Sequence, residues 1–164
     1  MESQSTLIDR AFTLARLDLS PAHRQPALTR VGTAIAAAVA GSLIADALIV
    51  AIGIALFPST KGYPHFQFSD YAKLTTIGVI IAGVAWPLVT RVSAAPRWLF
   101  LRLAYLVSAV LFLPDVWLLM KHQSADAVGV LVVMHVAIAV VTYNLLVRIA
   151  PPLRDTVSPA TRGR

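Results

Sequence analysis

The sequence predicts an all-α integral membrane protein, a four-helix bundle running up-down-up-down with a short amphipathic N-terminal helix. Three observations predict it. Of the 164 residues, 57% are hydrophobic and only 13% are charged, with a mean hydropathy of +0.73. A water-soluble domain of this size could not bury that much apolar surface, whereas a bilayer absorbs it. The apolar residues also fall into four runs, each near the ~20 residues a helix needs to cross the hydrocarbon core. Finally, the runs lack the alternation of a barrel strand, and only helices and closed barrels satisfy every backbone group in lipid.

The first run, VGTAIAAAVAGSLIADALIVAIGIALF, extends from about Val31 to Phe57 and is interrupted only by Asp46. The second, LTTIGVIIAGVAWPLV, extends from about Leu74 to Val89. It is short and contains Pro87, so its helix is expected to begin earlier, at Tyr71 or Ala72. The third, WLFLRLAYLVSAVLFLPDVWLLM, extends from about Trp98 to Met120, and the fourth from about Ala125 to Ile149. Trp98 and Trp117 fall near opposite ends of the third run, where interfacial aromatics belong. Ala37, Gly41 and Ala45 form a small-residue ridge on the first helix, and Gly78 with Ala82 another on the second, so close backbone approach is expected at both.

Three segments follow: a cytoplasmic amphipathic segment over 1–30, the transmembrane domain over 31–150, and a disordered cytoplasmic tail over 151–164. TLIDRAFTLARL, within the first, places Leu7, Ala11 and Leu14 on one side of a helix and Asp9, Thr13 and Arg16 on the other. Such a helix lies along the membrane surface or docks on a partner. Pro21 and Pro26 break the chain before the first span. This segment is mixed in charge and precedes a long span, which is the pattern of an uncleaved anchor rather than a secretory signal. The longest connection, PSTKGYPHFQFSDYAK, has four aromatics, Tyr63, Phe66, Phe68 and Tyr71. These are expected on the headgroup layer or as a cap on the bundle, with a binding lid as the alternative.

Orientation follows from the cations. The N-terminal segment has Arg10, Arg16, Arg24 and Arg30; the second connection has Arg91 and Arg97, with Arg102 just beyond; the tail region has Arg148, Arg154, Arg162 and Arg164. The other two connections share only Lys61, Lys73 and Lys121. This asymmetry predicts a multi-pass protein of the plasma membrane with both termini cytoplasmic. The net charge of +6 is therefore read as topology. No basic stripe with interleaved aromatics exists, so nucleic acid is not an expected partner.

Function is less legible. There is no cysteine, which excludes disulfides, thiol nucleophiles and cysteine-based metal sites. No phosphate loop, nucleophile elbow or HExxH occurs, so the chain is not expected to be an enzyme, and no cofactor is expected. What remains is the set of polar residues inside the spans, which are costly in lipid unless partnered. Three are ionisable: Asp46, Asp115 and His135. At about 1.5 Å per residue, Asp46 and His135 lie roughly 14–16 Å from one end of their helices and Asp115 roughly 7 Å. An Asp46–His135 contact is therefore allowed if the first and fourth helices are neighbours. Ser42, Ser108 and Thr142 fall on the same faces and extend these positions into an inner polar line. Pro114 leaves a carbonyl unpaired one turn earlier. His135 has no second histidine at ligand spacing, so no metal site is expected.

The stretches AAAVAGSLIADALIVAIG, LVSAVLFLPDVWLL, VVMHVAIAV and LVRIAPP resemble an actinobacterial family of small four-span integral membrane proteins of unknown function, over about Thr29 to Pro152. By that resemblance Pro114, Asp115, Met134 and His135 match the family's pattern, whereas Asp46 stands where asparagine is expected more often. The resemblance implies a fold and a membrane location but no reaction. The expected function is thus that of an accessory, scaffold or assembly subunit acting by helix contacts, its partners being the lipid bilayer and a membrane protein or a second copy in a homodimer. The alternative is a small proton-coupled transporter using Asp46 and His135 at mid-membrane. A membrane enzyme or lipid-binding protein that uses the aromatic loop is a third class.

Overall fold

A computed structural model describes Arg10, Thr13, Leu14 and residues 25–153. Four helices dominate: α1 (Leu28–Leu56), α2 (Phe68–Val92), α3 (Pro96–Met120) and α4 (Ala125–Ile149). All four are long and apolar enough to cross a membrane. Among the described residues there is no strand. The chain alternates direction through short connections, so one end of the bundle carries the 57–67 and 121–124 connections (the loop end). The other carries the turn at 93–95 and both ends of the described 25–153 segment (the terminal end). Of the expected surface helix only Arg10, Thr13 and Leu14 are described, and they are helical; the rest of it, and the tail beyond Leu153, lie outside the described residues.

Local chemistry sets the helix ends. Ser124 caps α4 by accepting the Ala127 N–H, which satisfies one of the donors that a helix start leaves unpaired. Pro96 opens α3 at a position where a missing N–H costs nothing. At the far end of α3, His122 adopts a left-handed φ of 57°, and the Gln123 N–H returns to the Leu118 carbonyl at 3.1 Å. The start of α2 differs from expectation: it begins at Phe68, before Tyr71. Ser69, Asp70 and Lys73 depress the hydropathy there, yet Asp70 in the first turn suits a helix N-terminus.

α1 packs most extensively on α4 and next on α2, while α3 leans on α4. The first and fourth helices are thus neighbours, as an up-down bundle expects. Glycines set two of the close approaches. A Cβ on Gly53 of α1 would sit 2.7 Å from Val130 Cγ2 on α4, and one on Gly83 of α2 would overlap the Ile35 side chain of α1. The expected ridge at Gly41 does face α4, its Cβ position lying 3.1 Å from Val141 Cγ1. The second ridge is different: a Cβ on Gly78 would meet nothing within 4 Å, so no backbone approaches there.

The core has two centres. At the terminal end Val31, Ala34, Trp86, Val89, Phe100 and Leu146 pack together, and the Trp86 Nε1–H donates to the Ala150 carbonyl at 2.8 Å. At the loop end Phe66 and Tyr71 are buried against Val50, Ala127, Val130 and Met134. Phe66 and Tyr71, with Tyr63 packed against them, therefore cap the bundle, whereas Phe68 is exposed. α2 and α3 meet near their connecting turn, where the Trp86 and Phe100 rings are 5.0 Å apart. Beyond it they part, leaving a cleft of about 790 Å³ floored by α4.

Candidate functional site

The six polar positions expected to line the interior divide into two groups. In the first, between α1, α2 and α4, Asp46 is fully buried and its Oδ2 accepts from Thr75 Oγ1 at 2.7 Å. Its Oδ1 has no partner among the described residues. One turn away, Ser42 Oγ and Thr142 Oγ1 lie 3.5 Å apart across α1 and α4, the long limit of a hydrogen bond.

The second group lies in the cleft. His135 Nδ1 is 3.2 Å from Asp115 Oδ2 and 3.0 Å from the carbonyl of Leu131. The ring N–H is aimed at the carbonyl, which can only accept, so in the neutral ring the hydrogen is on Nδ1 and Nε2 is an acceptor. Asp115 Oδ2 is thus within ion-pair range of the imidazole yet receives no hydrogen bond. Phe112 stands edge-on to the imidazole, with ring centroids 6.2 Å apart. Ser108 lines the same cleft, two turns from Asp115 on the same face of α3.

His135 therefore pairs with Asp115 and not with Asp46, although α1 and α4 are adjacent. Helix direction explains the outcome. Side chains lean toward the N-terminus of their own helix. α4 starts at the loop end, so His135 leans that way, as its bond to Leu131 shows. α3 starts at the terminal end, so Asp115, nearer the loop end, leans down toward it. Asp46 on α1 leans the opposite way from His135 and diverges from it at equal depth.

The remaining cleft wall is apolar, with small residues set among larger ones such as Ile81, Leu103 and Leu111. Gly78, Ala82 and Ala85 of α2 face Ala104 and Ser108 of α3 across it, with Ala139 on the floor; short side chains cannot fill the space between diverging helices. No lysine or arginine lines it. At the loop end, His65 Nδ1 and Asp70 Oδ2 stand 3.8 Å apart at the rim. Nearby in the connection, burial first and the Asp115 carboxylate second hold the Tyr63 phenol above its ordinary range. The Tyr63 hydroxyl is buried without a partner among the described residues. Among those residues no three histidines or carboxylates gather around one point as a metal site would need.

Sequence reasoning missed Thr75, the Leu131 carbonyl and the cleft itself. Thr75 left a signal: a hydroxyl within LTTIGV, on a helix adjoining a buried acid that needs a donor. The cleft left none beyond the small residues, which read equally well as a packing ridge.

The model of a family of unknown function, DUF6069, matches residues 21–152. No curated protein and no solved structure matches the chain.

Proposed function

We propose, for a chain that belongs to the DUF6069 family of unknown function, that it is a non-catalytic multi-pass membrane protein that binds a lipid-soluble amphiphile. The site is the cleft between α2 and α3. One observation carries this reading: a cavity of about 790 Å³ places an apolar wall beside a buried carboxylate with an unsatisfied oxygen. Ligand sites are mostly apolar concavities with a few convergent polar groups, and an ionisable residue inside a span is a functional-site hypothesis by default. If the protein also carries its ligand with protons, Asp115 and His135 are the couple in reach of each other.

The cation asymmetry and the family resemblance support a plasma-membrane location, in an actinobacterium, with the terminal end cytoplasmic. Arg102 stacks on Trp98 at 4.9 Å and Lys121 on Trp117 at 5.5 Å, which suits anchors at the two interfaces.

Native mass spectrometry of protein extracted in mild detergent tests the reading. A bound small amphiphile is expected, and Ser108→Trp, which fills the cleft, is expected to remove it. Protein that emerges without any small molecule, whether or not the cleft is filled, contradicts it.

A second reading, a helix-contact subunit, is favoured by a different observation. α1 exposes Gly32, Ala36 and Ala40, and further along Ala47, Ala51 and Ala55, a small-residue face of the kind that membrane helices use to associate. A stoichiometric protein partner or a second copy in the same spectra would support this reading, and its loss on Ala36→Leu would locate the contact.

A further inference from the structure

The geometry points to a lipophilic amine as the ligand of the cleft, its ammonium group seated against the Asp115 carboxylate beside the His135 ring and its apolar tail along α3 toward Phe100. This inference rests on the cleft-binding reading above and adds the chemistry of the occupant.

Three observations select an amine. First, the polar end of the cleft offers acceptors. Asp115 is 3% exposed with Oδ2 unsatisfied, and the N–H of His135 is spent on Leu131, which leaves Nε2 as a lone-pair acceptor with no partner among the described residues. A primary ammonium supplies three donors and no acceptor.

Second, the charge is complementary. Asp115 and Asp70 are the acids lining the cleft, and no lysine or arginine lines it. A fatty-acid carboxylate or a phosphate headgroup would bring like charge to Asp115 with no lysine or arginine to offset it. An alcohol could donate one hydrogen bond but would bring no positive charge to the buried carboxylate, and an uncompensated buried charge costs far more than a missing neutral bond.

Third, the shape fits a tail. From Asp115 to Phe100 along α3 is about 22 Å at 1.5 Å per residue. Along that length small residues such as Gly78, Ala82 and Ala104 stand among branched apolar side chains such as Leu103, Val107 and Leu111, so the path suits an alkyl tail. The far end closes on Phe100, whose ring stacks on Tyr143 at 5.9 Å.

The test uses the full chain in nanodiscs of zwitterionic lipid and three probes of one tail length: dodecylamine, dodecanol and dodecanoate, compared at matched membrane concentration. Dodecylamine is expected to bind about thirtyfold or more tightly than the other two, the scale of a buried charge contact. Asp115→Asn is expected to abolish that preference while dodecanol still binds, which also shows that the variant is folded. Ser108→Trp is expected to abolish binding of all three. Equal binding of amine and alcohol to the unmodified protein overturns the amine assignment and leaves the cleft reading standing. Absence of binding by any probe overturns both. The ratio measured on the unmodified protein decides the matter even if Asp115→Asn does not fold.

Discussion

His135 and Asp115 meet because two antiparallel helices lean their side chains toward each other, and the same rule separates His135 from Asp46. That three titratable residues inside the spans need partners was legible from the sequence, since lipid makes each expensive alone. Which partner each takes was not, because that depends on helix rotation and on the direction of lean. Thr75 satisfies Asp46 at 2.7 Å, and a double-mutant cycle with Asp46→Ala and Thr75→Val is expected to give a coupling of about 0.6–1.7 kcal/mol, from the average to the maximum measured for hydrogen bonds between membrane helices. Tyr63 provides a second residue-level test. Its phenol is held above the ordinary value near 10 by burial and then by Asp115, so its tyrosinate absorbance, taken as the difference from Tyr63→Phe, should appear at higher pH than a free phenol's. Asp115→Asn removes the negative neighbour and should lower that midpoint; an unchanged or higher midpoint would contradict the proximity of the two groups.

Among the elements, the four spans were legible from run length alone, and their observed ends agree except at α2. There the polar residues Ser69, Asp70 and Lys73 hid the first turn of a helix that reaches beyond the hydrocarbon. Small residues were legible as positions of possible close approach but not as to which would be used. Gly53 and Gly83 touch neighbouring helices, whereas Gly78 faces open space. Gly53→Ala and Gly83→Ala are therefore expected to destabilise the bundle by about 1–3 kcal/mol through overpacking, and Gly78→Ala to leave it unchanged or slightly better, as read by unfolding in detergent. A loss at Gly78 equal to that at Gly83 would mean that α2 and α3 are in contact. His122 at φ 57° closes α3 in a conformation that suits glycine, so His122→Gly should stabilise by up to about 1 kcal/mol, the left-handed penalty relieved less glycine's larger unfolded-state entropy.

For the whole molecule, the sequence foretold four helices able to cross a membrane and allowed the first and last to be neighbours, and the structure has four such helices with those two adjacent. It gave no sign that α2 and α3 would diverge, because divergence is a property of how helices cross, not of any one run of residues. The cleft that results brings Asp115, His135 and the small residues of α2 and α3 into one space, and the proposed binding role depends on that space being open in a bilayer. The absence of cysteine from the chain makes this directly measurable with introduced pairs. A disulfide requires Cβ atoms about 3.5–4.5 Å apart. Copper-catalysed oxidation in native membranes should join Gly41→Cys to Val141→Cys, across the tight α1–α4 contact, and should leave Gly78→Cys and Ser108→Cys unjoined across the cleft. Rapid joining of the second pair would show that α2 and α3 close on each other and that no such cavity exists.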